Sequence, residues 1–358
     1  MQRWSATLLA SVHRSSVSDL SPSLVMIGGL TMDNVVTAYG KVALAKAGGN
    51  GAYSAVGALM WCDRVGLVSA AVESYPKMTL ARLEAAGVNL QGVAWFPERL
   101  TACSWFFYDE AGDREEGFAS PPEALAEAGF PTDRLSSDEI ARWRSHLSAQ
   151  HIDTEIDYCA FRGRHPLSPE QVPKSWNGVR GVHLAPSQLD VMMAMLDHFG
   201  TGPIVTVDPG WQLATRTLDE IAPILTRLDA FLPSKVELAA LVPGAAPTDA
   251  LAELAGRVSG AVAVKLGPKG VLVWDRATRS AIEISACKVT TVDPTGAGDG
   301  FSGGFLAGLV ETGDPVVAAR FGVISASHIV GAFGADGALP ADTKAARCAL
   351  RDEGLECR

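Results

Sequence analysis

The residues best suited to catalysis lie in one short glycine-rich string near the end of the chain. Residues 293–299 have the sequence Asp-Pro-Thr-Gly-Ala-Gly-Asp, and an apolar run to Val310 follows them. This pattern predicts a strand, a tight turn and the first turn of a helix. Free backbone amides and the helix dipole make such a turn a binding site for anions, including a phosphoryl group. We therefore predict that Gly296, Ala297 and Gly298 form an anion hole.

Asp299 is the candidate catalytic base. It falls in the first turn of the predicted helix, where a carboxylate can accept a proton from an attacking hydroxyl. A lone Asp after a glycine usually only caps a helix, but the whole 293–299 string with three closely spaced glycines, at positions 296, 298 and 300, favours a catalytic role. Because phosphoryl transfer relies on positioning, electrostatic stabilisation and a base, we expect this segment to catalyse it.

The same segment also satisfies the dinucleotide-binding pattern G-x-G-x-x-G, through Gly298, Gly300 and Gly303. An NAD-dependent oxidoreductase is nevertheless the least favoured alternative. Little chain follows the pattern for the rest of a dinucleotide fold, and Asp299 would put a carboxylate against a pyrophosphate. No acidic residue follows a clear second strand at the expected distance either. A P-loop is excluded, because the chain contains no G-x-x-x-x-G-K-[ST] string.

Composition and charge favour a globular α/β protein that acts on small molecules. The chain has 358 residues, of which 47% are hydrophobic and 36 are glycine. The 40 acidic and 30 basic residues give a net charge of −10, which disfavours nucleic acid and anionic membranes as partners. None of the six cysteines forms a C-x-x-C pair, and no apolar run approaches the length of a membrane span. A cytoplasmic location is therefore expected.

The order of predicted elements indicates a mostly parallel sheet covered by helices. From Val182 to Trp274, short strand-like runs alternate with helical patterns, which is typical of a parallel sheet with helices on both faces. Residues 1–22 are expected to form a disordered extension, residues 23–345 one domain, and residues 346–358 a tail. A stretch without clear periodicity, 121–178, is interpreted as an insertion in that domain.

Two motifs resemble the signatures of the ribokinase-like (PfkB) carbohydrate kinase family. Asp293–Phe301 resembles the C-terminal signature, which is long and specific, and Ala47–Ala55 resembles the N-terminal one. Val25–Asp33 is similar to the opening strand of the family, and Lys265–Gly270 to its nucleotide-contacting loop. The resemblance extends in the expected order from about Leu24 to Gly334.

The resemblance implies a three-layer α/β/α fold with a mostly parallel central sheet and a small β-lid. The lid would come from residues of about 29–37 and 92–118, and the substrate would lie between lid and sheet. ATP and Mg²⁺ would be the cofactors, family members often also use a monovalent cation such as K⁺, and lid strands can pair to form a homodimer. The implied activity is ATP-dependent phosphorylation of a hydroxyl on a sugar or sugar-like molecule.

The resemblance also implies roles for individual residues besides Asp299 and the anion hole. Residues expected to face the acceptor are Asp33, Gly48, Gly49 and Tyr53. Residues expected to contact the nucleotide are Lys265, Gly267, Gly270 and Thr295. Glu237 is expected to hold Mg²⁺ through water, and Asp293 to lie near the monovalent cation.

Three positions depart from the family pattern. Tyr53 stands where an asparagine is usual, and Gly210 follows Asp-Pro where another asparagine is usual. Ser234 replaces the asparagine of an N-x-x-E motif that ends at Glu237. Because the base and the anion hole are retained, we expect catalysis with an acceptor other than plain ribose. The alternatives are a nucleoside kinase and a non-catalytic nucleotide-binding protein on the kinase scaffold.

Overall fold

Two β-sheets organise the part of the chain that the computed structural model describes, which is residues 21–37, 42–98, 103–108, 114–118, 136, 138 and 158–339. One sheet has nine strands and the other has four. In chain order the strands are β1 (Leu24–Ile27), β2 (Thr31–Val36), β3 (Val42–Gly48), β4 (Val65–Val72), β5 (Val88–Phe96), β6 (Cys103–Tyr108), β7 (Arg114–Phe118), β8 (Gly181–Leu184), β9 (Ile204–Val207), β10 (Ala230–Phe231), β11 (Ala261–Lys265), β12 (Val271–Asp275) and β13 (Ser280–Ile284).

The nine-stranded sheet is mostly parallel, with the order β13-β12-β11-β10-β9-β8-β1-β4-β5. Among its described strands, only the pairings of β12 with β11 and with β13 are antiparallel. Strand β1 lies inside the sheet, with Leu24 aligned to Val65 of β4 and to Gly181 of β8. All four β1 residues are buried. Short apolar strands that are buried on both faces are what a parallel sheet between two helical layers requires.

Helices flank this sheet in two groups. In chain order they are α1 (Asn50–Leu59), α2 (Lys77–Ala86), α3 (Tyr158–Arg164), α4 (Leu189–Phe199), α5 (Gly210–Ala214), α6 (Leu218–Leu225), α7 (Lys235–Leu241), α8 (Pro247–Arg257), α9 (Ala297–Thr312) and α10 (Pro315–Ile329). Helices α1, α9 and α10 pack on one another, and α4, α6 and α8 form the second group. The predicted three-layer α/β/α fold is confirmed. Within the described ranges, no helix combines the length and hydropathy needed to cross a bilayer.

The four-stranded sheet is a small β-lid, but its strands differ from the prediction. Its order is β3-β2-β6-β7, with β2 parallel to β6 and the other pairs antiparallel. The prediction of a lid segment at 92–118 is wrong for residues 92–96, which continue β5 beside β4 up to the pair Val72 and Phe96. The long strand β4 offers a partner over that whole length. Strand β3 was not predicted, because its alanines and glycine are poor strand formers.

Residues 158–178 belong to the core and not to an insertion. Helix α3 buries Phe161, which is 1% exposed, and the chain after it buries Leu167, Val172 and Trp176. The interpretation of 121–178 as an insertion is therefore wrong for this last part. Periodicity is weak there because α3 has only seven residues and irregular chain follows it. The rest of that stretch, apart from Ser136 and Asp138, lies outside the described residues, as do 1–20 and 340–358.

The segment before the glycine-rich string is irregular. The sequence predicts a strand at Val292, but residues 285–296 form none. The amides of Val292 and Asp293 instead donate to the Val330 carbonyl, over 2.7 and 3.2 Å. These bonds tie the segment to the end of α10. The β-branched residues before Asp293 favour a strand, but β-propensity acts only where a neighbouring strand offers a partner.

His183 is a buried titratable group in the middle of the central sheet. It lies on β8 with its side chain fully buried, and its Nδ1 is 2.9 Å from the Thr206 hydroxyl oxygen. Burial, and then the positive charge of Lys265, lower the pKa of His183 to about 3. The imidazole therefore stays neutral in the folded protein at mildly acidic pH, where an imidazole in the unfolded chain takes up a proton.

We predict that His183 makes the protein less stable in mild acid. A group whose pKa is lowered by folding contributes stability above its unfolded pKa and loses that contribution as the pH falls. Between pH 7 and pH 5 this residue should remove about 2 kcal/mol from the free energy of unfolding. Urea unfolding at both pH values measures the loss, which should be absent in His183→Asn. The same pH dependence in both proteins would contradict the prediction.

Candidate active site

Helices α1 and α9, which carry the two signature motifs, touch through their backbones. A Cβ atom at Gly57 would lie 2.1 Å from the Gly300 carbonyl oxygen, and one at Gly303 would lie 2.0 Å from the Ser54 carbonyl oxygen. These distances are well below van der Waals contact, so the two helices approach this closely only with glycine at both positions. The contact also accounts for the dinucleotide-like pattern, because two of its glycines serve helix packing.

The turn that begins α9 has the backbone geometry of an anion site. Gly296 is the N-cap, with a left-handed φ of 76°. The first bond of the helix joins the Gly300 amide to the Gly296 carbonyl (2.8 Å), so the Gly298 amide precedes the helical ladder. Ala297 differs from the prediction, because its amide donates to the Pro294 carbonyl (3.3 Å) and closes the turn. Gly298 is therefore better placed than Ala297 to bind an anion.

A lid strand holds this turn from the other side. The Thr295 amide donates to Asp293 Oδ1 over 2.8 Å, and the Thr295 hydroxyl lies 2.9 Å from the Tyr108 hydroxyl on β6. The side chain of Asp293 is fully buried, and this burial raises its pKa to about 6. Thr295, predicted to contact the nucleotide, is thus engaged with the lid. Tyr108 was not predicted, because nothing in its local sequence distinguishes it from other strand residues.

Tyr53 lies at the centre of the site, between the lid and α9. It is 2% exposed, and its ring packs on Gly296, where a Cβ would lie 2.2 Å from Tyr53 Cγ. Its buried hydroxyl has no hydrogen-bond partner in the described part of the chain. Burial, followed by the negative charges of Asp33 and Asp293, raises the pKa of Tyr53 well above its ordinary value. The phenol is therefore a neutral hydrogen-bond donor that faces carboxylates.

Asp33 is one of the residues predicted to face the acceptor. It lies on the lid strand β2, is 1% exposed, and its Oδ1 accepts a hydrogen bond from the Thr31 hydroxyl (2.8 Å). Gly48 leaves room for this carboxylate, since a Cβ there would lie 1.6 Å from Asp33 Oδ2. An added Cβ at Gly49 would likewise lie only 2.4 Å from the Gly29 carbonyl oxygen. The structure thus brings together the predicted acceptor residues Asp33, Gly48, Gly49 and Tyr53.

Asn50 fixes the turn that joins β1 to the lid. Its Oδ1 accepts a hydrogen bond from the Gly29 amide (2.6 Å), and its Nδ2 donates to the Pro186 carbonyl (3.2 Å). The first residue of α1 therefore connects the ends of β1 and β8. Asn50 lies inside the N-terminal signature, but the sequence gives no sign that its side chain would have this bridging role.

Two further tyrosines lie near Asp33. A Cβ at Gly29 would be 2.5 Å from the Tyr158 hydroxyl oxygen, so Tyr158 covers the turn after β1. Tyr75 is 2% exposed, and its hydroxyl has no hydrogen-bond partner among the described residues. Burial, followed by the charge of Asp33, raises the pKa of Tyr75 above its usual range. With Tyr53 and Tyr108, four of the five tyrosines of the chain line this region.

A buried lysine lies beside the glycine-rich turn. Lys265 ends β11, pairs with the Asp208 carboxylate, and has a side chain that is 12% exposed. A Cβ at Gly298 would lie 3.6 Å from Lys265 Nζ. Burial alone would lower the pKa of Lys265, but the charges of Asp208 and Glu237, with a smaller effect of Asp299, raise it. The Lys265 ammonium group is therefore positively charged and lies next to the predicted anion hole.

Glu237 has a structural partner at the start of α7. Its Oε2 accepts a hydrogen bond from the Ser234 amide (2.6 Å), and its own amide donates to Ser234 Oγ (3.3 Å). These two bonds form a capping box. Burial, and then the charge of Asp208, raise the pKa of Glu237. The serine at the family's asparagine position thus caps α7 and leaves Glu237 beside Asp208.

The two loop glycines predicted to contact the nucleotide lie in the turn between β11 and β12. Gly270 packs on β13, where a Cβ would lie 2.0 Å from the Ile284 carbonyl oxygen. At Gly267 no atom would lie within 4 Å of an added Cβ. Packing of the β12–β13 hairpin therefore explains the glycine at position 270. Gly267 lies two residues after Lys265 and borders open space.

We predict that Gly296→Ala destabilises the protein more than Gly313→Ala does. The two glycines cap opposite ends of α9 with φ angles of 76° and 70°, so alanine strains both by about 1–2 kcal/mol. Only at Gly296 does the new methyl group also meet a side chain, the ring of Tyr53. Chemical denaturation should show an additional loss of about 1–3 kcal/mol at Gly296.

Removal of the ring provides the control for this prediction. In a Tyr53→Ala background the methyl group at position 296 has space, so the two alanine variants should lose similar stability. Two results would contradict the described packing of Tyr53 on Gly296. One is an additional loss of stability in Gly296→Ala that remains in the Tyr53→Ala background. The other is the absence of that additional loss when Tyr53 is present.

Sequence comparison connects this site to a known family. Residues 179–342 match the sequence model of the pfkB family carbohydrate kinases. Over 315 residues the chain is 25% identical to a cytidine kinase of Thermococcus kodakarensis, which covers 87% of this chain and 97% of that protein.

Solved structures with the same fold are numerous. A nucleoside kinase of Methanocaldococcus jannaschii, described as an archaeal member of the ribokinase family, aligns with a TM-score of 0.64 and 19% identity over 94% of this chain and 99% of its own. A candidate ribokinase II of E. coli in complex with ATP and Mg²⁺ aligns with a TM-score of 0.63 and 18% identity, over 92% and 99%. The family match over residues 179–342 and the shared fold confirm the resemblance to the ribokinase-like (PfkB) carbohydrate kinases that the two signatures suggested.

Proposed function

We propose that the chain transfers the terminal phosphoryl group of ATP to a hydroxyl of a small sugar-like molecule, with Asp299 as general base. The observation that carries this proposal is the position of Asp299 in the first turn of α9, next to the Gly298 amide. Lys265 Nζ lies near the same turn. A base, an amide donor and a cation at one point are the groups that phosphoryl transfer needs.

The nucleotide side of the proposal rests on Gly298, Lys265 and the carboxylates next to them. The described residues contain no group of three His, Cys, Asp or Glu side chains that would hold a metal ion alone. Mg²⁺ usually binds one or two carboxylates together with water and phosphate oxygens, and Asp208 and Glu237 fit that requirement. The bound metal would neutralise charge on the phosphates. The ATP–Mg²⁺ complex of the structurally similar E. coli protein supports this cofactor choice.

The acceptor side of the proposal rests on Asp33 and the hydroxyl of Tyr53. A buried carboxylate can accept hydrogen bonds from acceptor hydroxyls, and the neutral phenol can donate one. Tyr53 lies near both Asp33 and Asp299, whose charges contribute to its raised pKa. We propose that it orients the acceptor hydroxyl towards the base. The monovalent cation near Asp293 and a homodimer formed through the lid stay predictions.

A nucleoside kinase is the second candidate function. The whole-length similarity to a cytidine kinase favours it. A non-catalytic nucleotide-binding protein is the third, and the departures at Gly210 and Ser234 motivate it. Ser234 has a structural explanation in the capping box of α7, which reduces the weight of that alternative. The observation that suggested an NAD-dependent oxidoreductase has a structural explanation, because Gly300 packs on Ile329 of α10 and Gly303 packs on α1.

We predict that Asp299→Asn abolishes most turnover and leaves nucleotide binding intact. The amide keeps the shape of the carboxylate but cannot accept the proton, and a general base contributes roughly 10²–10⁴-fold to the rate. Steady-state kinetics and a thermal shift with ATP and Mg²⁺ measure the two effects. Asp314→Asn is the matched control, because Asp314 caps the next helix, α10, and asparagine caps equally well. Near wild-type turnover in Asp299→Asn would refute the assignment.

We also predict that ribose is a poor acceptor. Tyr53 is larger than asparagine and has a single hydroxyl, so the acceptor pocket differs in shape and polarity from one built for ribose. A panel of pentoses, hexoses and nucleosides, each assayed for ATP-dependent phosphorylation, tests this. Ribose with the highest kcat/KM of the panel would contradict the prediction, and no turnover with any acceptor would favour the non-catalytic alternative.

A further inference from the structure

Helix α3 carries a partly buried arginine, Arg162, that the proposed mechanism does not use. Nη1 of Arg162 is buried and has no hydrogen-bond partner within the described residues. Its two basic neighbours, Arg164 on the helix and His165 directly after it, have other surroundings. His165 lies 2.6 Å from Glu98 and is paired with it, and Arg164 is exposed to solvent. Arg162 is thus the member of this basic cluster that has a buried, unsatisfied donor.

The position of Arg162 places it at the acceptor side of the site. It follows Tyr158 by four residues, which puts the two side chains on the same face of α3. The Tyr158 hydroxyl packs on the Gly29 turn, next to the strand that carries Asp33. Burial raises the pKa of Tyr158, and the nearby charge of Arg162 opposes that rise. The guanidinium therefore lies close to the phenol that covers the acceptor turn.

A second unsatisfied donor lies in the same region. The hydroxyl of Tyr75 is buried without a partner among the described residues, and burial, followed by the charges of Asp33 and Asp336, raises its pKa. A buried donor that has lost water and gained no partner lowers the stability of a protein. Two such donors beside a binding site indicate that a ligand supplies the acceptor atoms.

We propose that Arg162, assisted by the Tyr75 hydroxyl, binds an anionic group on the acceptor molecule. The substrate would then be a polyhydroxy compound that carries a carboxylate or a phosphate, with this group at the α3 end and the reacting hydroxyl near Tyr53 and Asp299. A guanidinium matches either anion, because its planar donors bind two oxygens at once. This inference rests on the proposed kinase function and adds the class of acceptor.

The test compares acceptors that differ in a single group. An aldose, the corresponding aldonic acid and the corresponding terminal sugar phosphate are assayed with ATP and Mg²⁺ on the full chain. We expect one of the two anionic compounds to exceed the neutral sugar in kcat/KM by roughly 10- to 100-fold, as for a hydrogen bond to a charged group. The acid and the phosphate arms distinguish a carboxylate from a phosphate.

Variants of α3 identify the residue responsible. Arg162→Gln should raise KM for the preferred anionic acceptor by roughly 10- to 100-fold and leave KM for ATP unchanged. Arg162→Lys should recover part of the loss, because it restores the charge but not the planar donors. Arg164→Gln, an exposed arginine on the same helix, should behave as wild type. The melting temperature of Arg162→Gln should equal or exceed that of wild type, whereas a purely structural arginine would lower it.

The possible failures separate the two proposals. Phosphorylation of neutral sugars or nucleosides in preference to every anionic compound would overturn the role of Arg162 and leave the kinase function intact. An unchanged KM for the anionic acceptor in Arg162→Gln would also overturn it. A wild-type chain that phosphorylates no compound while it binds ATP would instead overturn the proposed kinase function, and the acceptor inference with it.

Discussion

The backbone contact between α1 and α9 is the constraint on which the rest of the site depends. Gly57 and Gly303 let each helix approach the carbonyl oxygens of the other. This approach places Tyr53 on the Gly296 turn, and so joins the acceptor side to the anion site. A single methyl group at either glycine would separate the helices, because packed interiors do not absorb such an overlap without movement. The contact therefore fixes the distance between the groups that would have to react.

The balance of negative and positive charge is the second feature that shapes the site. Asp208, Glu237 and Asp299 lie near Lys265, and Asp33 and Asp293 lie near Tyr53, so carboxylates outnumber cations in the site. Burial keeps Tyr53 protonated and raises the pKa of Asp293 to about 6. Under the proposed function, ATP would add further negative charge to this region. The helix dipole, the Gly298 amide, Lys265 and a divalent metal would together offset it.

The sequence predicted those parts of the molecule that obey a local rule. The alternation of strands and helices from Val182 to Trp274 was predicted, because β-branched runs and helical repeats are local signals. In α4, Val191 and Met195 are buried, whereas the apolar Met193 and Phe199 are only partly buried. The face that a helix buries depends on its neighbours, which the repeat alone does not specify. The two glycine-rich signatures were found because each concentrates its chemistry in fewer than ten residues.

Features that depend on tertiary contacts were not predictable in this way. The strand expected at Val292 is absent because bonds to the end of α10 take its place. Folding brings together Tyr75, Tyr108 and the two α3 residues Tyr158 and Arg162, which come from three separate segments of the chain. The residues after Arg162 lack periodicity, yet they bury Leu167 and Trp176. Because the local sequence patterns are weak in these segments, the sequence did not predict these core residues or the residues near Asp33.

The most direct test of the central claim is a crystal structure of the full chain with Mg²⁺ and a non-hydrolysable ATP analogue. The account predicts that the terminal phosphate accepts a hydrogen bond from the Gly298 amide, with Lys265 on one side and the Asp299 carboxylate on the face where an acceptor hydroxyl would approach. A nucleotide bound with its phosphates away from the 296–299 turn, or with Asp299 turned away from the terminal phosphate, would contradict it.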